Sequence, residues 1–274
     1  VRRRADVPAL LAEFARILRG ELDYLAEGRN AETFAANFKD TPSVRVPAVY
    51  WPTTTQRVLT LEDVYAIKIT DYAAITAAGI DRAEVAERLF QTYLRQIFDQ
   101  GFFHADPHPG NLFVEVVTPP IEGGPTWRLI FVDFGMIGHV PPNLRAGLRE
   151  MVIGVGLRDA GRLVRAAQTM GLLLPGADLE RLEQAQGQMF ERLWGKSMNE
   201  LQKIDMREMR DFTHEFRDLI YEMPFQVPED FILLGRTVAI LSGMCTGLDP
   251  QFNVWNGLTP FAQNLISGQT GGAG

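Results

Sequence analysis

Residues His104-Ala105-Asp106-Pro107-His108-Pro109-Gly110-Asn111, with Leu129-Ile130-Phe131-Val132-Asp133-Phe134-Gly135 following, decide how this chain is read. The order is His-x-Asp, an Asn five positions after that Asp, then an apolar run ending in Asp-Phe-Gly. Asp106, Asn111 and Asp133 are short oxygen-bearing side chains, the type that holds a hard divalent cation or stands beside an attacking oxygen. Pro107, Pro109 and Gly110 keep the segment between Asp106 and Asn111 out of helical geometry, which turns both side chains into one cleft. The β-branched and aromatic run before Asp133 predicts a buried strand, and Gly135 predicts its opening into a loop.

An isolated Asp-Phe-Gly is common and says little by itself. Taken jointly, the pattern predicts a phosphoryl-transfer centre. Protein kinases use this order, with one carboxylate at the substrate hydroxyl and an Asn plus a second carboxylate holding magnesium on the nucleotide. The transferring group needs positioning and charge neutralisation more than covalent help. Loop caps and turns would explain each residue singly but not the joint spacing. A zinc reading from His104, Asp106 and His108 leaves the loop prolines and the downstream Asp-Phe-Gly without a purpose. His104 reads as a brace that hydrogen-bonds backbone rather than as a base, whereas His108 reads either way.

Composition narrows the class. With 274 residues, 46% of them hydrophobic and 22% charged, the chain can bury a core for one or two domains. A net charge of −7 argues against a nucleic-acid partner, and Arg2-Arg3-Arg4 reads as a solvated helix start. The single cysteine, Cys245, excludes an internal disulfide, fits a reducing compartment and reads as a packed thiol in an apolar helix. No secretory signal is visible, and the best apolar window, Phe231 to Leu248, is interrupted by Arg236 and reads as a buried helix. A cytoplasmic protein, or one peripheral to a membrane, is the expectation.

Periodicity predicts a helix from about Pro8 to Phe38 and strands across Val44 to Val64, interrupted by Pro47 and Pro52. Asp81 and Glu84 open a helix that carries Val85, Leu89, Tyr93, Leu94, Ile97 and Phe98 and stops at Gly101. A hairpin joins Asn111 to Asp133, with its tip at Thr118 to Pro125. Beyond Pro141-Pro142 the pattern is helical over Leu144 to Met170, Asp178 to Trp194, Met206 to Met223 and Glu229 to Thr246.

The strings FFHADPHPGNLFV (Phe102 to Val114) and LIFVDFGMIG (Leu129 to Gly138) resemble the UbiB/ADCK family of atypical kinase-like proteins. Glu21-Leu22-Asp23-Tyr24 with Glu27 and Asn30 is similar to its Glu-x-Asp helix, and Val58-Leu59-Thr60-Leu61-Glu62 to its hinge strand. Leu248-Asp249-Pro250 and Pro260-Phe261-Ala262 resemble its helical tail.

The resemblance implies an α+β, protein-kinase-like fold, with a truncated small lobe at residues 1–64, a mostly helical large lobe at 65–265 and a flexible end at 266–274. It implies Asp106 as the catalytic carboxylate, Asn111 and Asp133 as metal ligands, and Glu27 as the partner of an ATP-binding lysine. Glu21 and Asp23 would face a Lys-x-Gly-Gln extension, and the backbone near Glu62 would meet nucleotide. ATP and magnesium ion are the implied cofactors.

The extension, an alanine-rich phosphate loop and the lysine-bearing strand have no counterpart here. Lys39 and Lys68 are the only lysines before the catalytic loop, and the chain begins at Val1 without Met, so a truncated chain is expected. No Ala-Pro-Glu segment follows the Asp-Phe-Gly, which puts an ordinary peptide-docking shelf in doubt.

The implied function is an ATP-dependent phosphoryl-transfer or ATPase module supporting isoprenoid-quinone or lipid metabolism. Its partners would be nucleotide together with a lipid or quinone-precursor membrane surface or biosynthetic enzymes. Two alternatives stay open. A small-molecule kinase of the aminoglycoside or choline type shares His-x-Asp with His-Pro-Gly-Asn, although Pro107 and Glu21-Leu22-Asp23 speak against it. A pseudokinase that binds nucleotide as a switch is the other.

Overall fold

The computed structural model describes residues 23–118, 124–193, 215–217, 229–254, 257–258 and 261–263. The chain divides into two compact units, Val1–Ile80 with His104–Ile137, and Asp81–Phe103 with Gly138–Gly274.

In the first unit, helix α1 (Tyr24–Asn37) starts at Asp23, whose carboxylate accepts the Ala26 N–H at 3.2 Å. Glu27, Gly28, Ala31 and Phe34 recur at helical spacing and form its buried face. Phe34 is the hub of an aromatic cluster, with ring centroids 4.9 Å from Phe38, 5.0 Å from Phe131 and 5.1 Å from Phe134. The part of the expected helix before Asp23 lies outside the described residues.

Four strands of this unit make one sheet in the order β1-β5-β4-β2. They are β1 (Val44–Arg45), β2 (Ile67–Lys68), β4 (Leu112–Val116) and β5 (Trp127–Phe131). The expected hairpin is β4 with β5, antiparallel, with Leu112 opposite Phe131 and Val116 opposite Trp127. Between β1 and β2 the chain departs from the expected run of strands. It contains isolated bridges at Val49–Leu61 and Thr55–Val58 and a tight turn at Trp51–Thr53. Pro47 and Pro52 have no N–H to donate, so a ladder cannot propagate through them. A short helix, α2 (Tyr72–Ala77), follows β2 and is capped by Asp71.

Strand β1 pairs with β5 in parallel and β2 pairs with β4, so strands on both sides of residue 64 share a sheet with the hairpin.

The second unit begins with α3 (Arg82–Arg95), capped by Asp81 at 2.9 Å from the Ala83 N–H. It continues as a wide turn, Gln96–Gln100, and ends on Gly101 at φ 64°, a left-handed conformation suited to glycine. Strands β3 (Phe102–His104) and β6 (Ile137–His139) form a two-stranded pair.

The helix expected over Leu144 to Met170 is two helices, α4 (Pro142–Leu157) and α5 (Ala160–Thr169). Arg158 turns left-handed at φ 55°, and Asp159 accepts the Arg162 N–H at 2.8 Å. The Asp side chain offers the backbone a cap in place of helix continuation.

Helix α6 (Leu179–Leu193) is capped by Asp178, 3.0 Å from the Arg181 N–H. Helix α7 (Glu229–Leu248) ends with the carbonyls of Gly247 and Leu248 accepting from Arg82 at 3.1 and 2.6 Å, a cation at the negative end of a helix. Cys245 is fully buried where α7 meets α3, and burial pushes its thiol well up, as expected of a packed residue.

The window Phe231–Leu248 has a mean hydropathy of 1.6 and is long and apolar enough to cross a membrane, and 33% of it is buried here. Most of the expected helix Met206 to Met223, and the expected flexible end at 266–274, lie outside the described residues.

The closest approach in β3–β6 is Gly138 against Phe103, where an added Cβ would meet the ring at 2.1 Å. Gly138→Ala therefore overpacks the pair, and we expect a loss of about 1–3 kcal/mol. Urea denaturation of the variant beside the parent chain measures it.

Candidate active site

The site is built at the end of β5. Asp133 adopts φ 61°, a left-handed backbone that costs an L-residue roughly 1–2 kcal/mol and that Asp tolerates better than most. His104 Nε2 lies 2.7 Å from the Asp133 carbonyl and 3.1 Å from that of Val132. Both partners are acceptors, so Nε2 carries the proton and donates. Burial pushes the imidazole pKa down against those two hydrogen bonds, which leaves His104 neutral. The expected brace is therefore what the structure contains.

Phe134 is held from α1. Its carbonyl accepts from Asn30 Nδ2 at 3.0 Å, and its N–H donates to the Glu27 carboxylate. Its buried ring packs edge-on to His104 with centroids 5.3 Å apart.

A cavity of about 290 Å³ opens beside this turn, lined by Tyr24, Glu27, Asp106, Asp133, Gly135 and Met136. Three of the six lining residues are carboxylates and none is basic. Gly135 leaves room for two of them, because a Cβ there would stand 3.3 Å from Asp133 Oδ1 and 3.8 Å from Glu27 Oε2. The Gly135 N–H also donates to Asp133 Oδ1 at 3.3 Å. Burial, and then the Asp133 charge, push the Glu27 carboxyl up from its usual value, opposed by the Phe134 N–H. Facing carboxylates with no Lys or Arg among the described lining residues suit a cation, and their hard oxygens fit magnesium, which is ordinarily held by one or two carboxylates plus substrate phosphates.

Asp106 enters the cavity from the catalytic loop. Asn111 Nδ2 donates to Asp106 Oδ2 at 3.1 Å and to its carbonyl at 3.2 Å, so the buried Asn111 backs Asp106 and is not among the lining residues. The turn Pro109–Asn111 is closed by His108, whose Nδ1 accepts the Gly110 N–H at 3.1 Å. That resolves the ambiguity left at His108 in favour of a cap.

Among the other expected site residues, Asp23 serves as the α1 cap, and Glu21 lies outside the described residues. Glu62 pairs with Arg45 at 2.6 Å and accepts the Ala48 N–H at 3.2 Å, outside the cavity wall. Arg45 also pairs with Glu115, which is 2.6 Å from Arg128. Among the described residues no group of three or more His, Cys, Asp and Glu is arranged to hold a metal ion.

The sequence had assigned no role to Tyr24, Asn30 or Met136. Tyr24, Glu27 and Asn30 recur every three residues on α1, and that spacing was the available signal.

A short-stranded sheet, a proline-bounded catalytic loop and an Asp-Phe-Gly turn facing an α1 glutamate make up a kinase-like α+β fold. A solved Mycobacterium tuberculosis structure, the Rv3197–erythromycin complex, shares it, with a TM-score of 0.63 at 19% identity over 97% of this chain and 63% of that one. The ABC1 atypical kinase-like domain matches residues 1–167. The chain belongs to the ABC1/UbiB/ADCK family of atypical kinase-like proteins.

A protein of Arabidopsis thaliana named activity of bc1 complex kinase 8, chloroplastic, is 36% identical over an alignment that covers 96% of this chain and 37% of that protein. An uncharacterised Synechocystis protein is 36% identical over 269 residues, 98% of this chain and 44% of its own length. The Arabidopsis kinase 7 of the same series is 32% identical over 95% of this chain and 36% of its own length. The chain thus spans less than half the length of these relatives.

Because the Glu27 carboxyl titrates above its usual value of 4.5, the stability tied to its protonation is complete below that pH. It is lost as pH rises through the folded value. Glu27→Gln removes the ionised form, so this chain should melt higher than its parent at pH 7, with the difference closing towards pH 4. Paired thermal melts at the two pH values test it.

Proposed function

We propose that this chain carries the metal-facing part of an ATP-dependent phosphoryl-transfer or ATPase site that serves isoprenoid-quinone or lipid metabolism. The observation that supports it is the convergence of Asp106, Asp133 and Glu27 on one cavity whose described lining includes no Lys or Arg. In this reading Asp106 holds the attacking hydroxyl or water, and Asn111 keeps the Asp106 carboxylate in place through its amide. Asp133 and the Asn111 side-chain oxygen would hold magnesium, which when bound would neutralise phosphate charge. Glu27 pairs with an ATP-binding lysine, the partner that would relieve its charge. The backbone near Glu62 takes the nucleotide base, while the Glu62 carboxylate stays with Arg45. The partners would be nucleotide and a lipid or quinone-precursor surface, or the enzymes working there, with the protein peripheral to that membrane.

Asp106→Asn keeps the shape of the side chain but removes the charge that orients the attacking oxygen. In the full-length protein we expect magnesium-dependent ATP turnover to fall by about 10²-fold or more, with nucleotide affinity little changed. Turnover equal to that of the parent would favour a nucleotide-binding pseudokinase.

A further inference from the structure

The turn that carries Asp133 is held almost entirely by side chains. The Val132 and Asp133 carbonyls accept from His104, and the Val132 N–H donates to the Asn111 carbonyl at 3.0 Å. At the next residue both polar groups of Phe134 are taken by α1, the N–H by Glu27 and the carbonyl by Asn30. A left-handed Asp persists only where its surroundings over-determine it. The three side chains differ in what else they do. His104 is wholly buried under the aromatic cluster, and Glu27 forms part of the cavity wall. Asn30 belongs to neither group, and its amide reaches the turn from a half-buried position one helical step beyond Glu27.

We propose that Asn30 is a positioning residue for cation binding, its amide fixing the Phe134 carbonyl and so aiming the Asp133 carboxylate into the cavity. The inference rests on Asp133 being a cation ligand. Outer partners that orient a ligating carboxylate commonly change metal affinity or activity by 10–100-fold when removed. Because α1 supplies both Asn30 and Glu27, the direction of the ligand and the carboxylate facing it are set by one rigid element. A small shift of α1 would then turn Asp133 and move Glu27 together.

The test uses the full-length protein with Asn30→Leu, which removes the donor at similar size, and Asn30→Asp, which turns a carboxylate oxygen towards the Phe134 carbonyl. Asn30→Ser serves if either fails to fold, and Asp133→Asn is the reference. The readouts are the magnesium concentration for half-maximal ATP turnover, ATP affinity without divalent metal by calorimetry, and the melting midpoint. We expect the magnesium requirement to rise about tenfold or more in Asn30→Leu and at least as much in Asn30→Asp. Metal-free ATP affinity should stay within about twofold, since no phosphate contact is touched.

A lower melting midpoint with an unchanged magnesium requirement would overturn the proposal and leave Asn30 a stabiliser of the turn, provided Asp133→Asn still raises the requirement. If Asp133→Asn also leaves it unchanged, the assignment of Asp133 as a ligand fails and the proposal falls with it.

Discussion

The first unit depends on one strained residue. Asp133 leaves β5 in a left-handed conformation, and no glycine is used to make that easy. Its cost is offset by hydrogen bonds that His104 and Asn30 donate to backbone carbonyls and that the Glu27 carboxylate accepts from the Phe134 N–H. Each comes from a different place in the chain or a different turn of a helix, so the turn forms only once the unit has assembled. The aromatic cluster of Phe34, Phe131, Phe134 and His104 supplies the packing that holds these side chains in register. Strain of this kind belongs at functional sites, where the direction of one side chain matters more than the last increment of stability.

Electrostatics gives the same turn its direction. Glu27 and Asp133 face one space across Gly135, and the Asp133 charge makes ionisation of Glu27 less favourable. A protein interior does not keep such a pair for stability, since like charges in partly desolvated surroundings repel strongly. Such a pair suits a cation between the two carboxylates, and the described lining residues include no Lys or Arg. By contrast, Arg45, Glu62, Glu115 and Arg128 form a balanced network along the sheet. That network needs nothing further and reads as scaffold.

Helix α1 connects the two effects. Its stripe of Tyr24, Glu27, Asn30, Ala31 and Phe34 carries cavity wall, backbone clamp and core contact in three turns. An i, i+3, i+4, i+7 pattern usually marks a purely apolar core face. Here the polar members Glu27 and Asn30 occupy core-like positions because their partners are backbone groups of the Asp133 turn. Gly28 beside them admits Trp51, whose ring would be 2.8 Å from an added Cβ. The helix is thereby seated closely from another side.

Much of this was legible in the residues alone. The loop from His104 to Asn111 and the Asp-Phe-Gly after an apolar run marked the family, since their residue types and spacing have few other uses. Asp81 and Gly101 marked the ends of α3 through local capping, which needs no distant partner. The brace at His104 could be read because a buried imidazole needs a hydrogen-bond partner. What the sequence could not show was anything that depends on which surfaces meet. The parallel pairing of β1 with β5 joins residues 44 and 129, and no local pattern encodes it. The break at Arg158 follows from a cap competing with helix continuation, and periodicity misses it. Glu62 lay in a recognisable strand, yet its carboxylate is engaged by Arg45 because tertiary packing brings the two side chains together. The sequence by itself determined which atoms are available for chemistry, because residue type and spacing are local properties. Only the tertiary structure decided that Asn30 holds Phe134 and that Glu27 faces Asp133, because those contacts bridge about a hundred residues of chain.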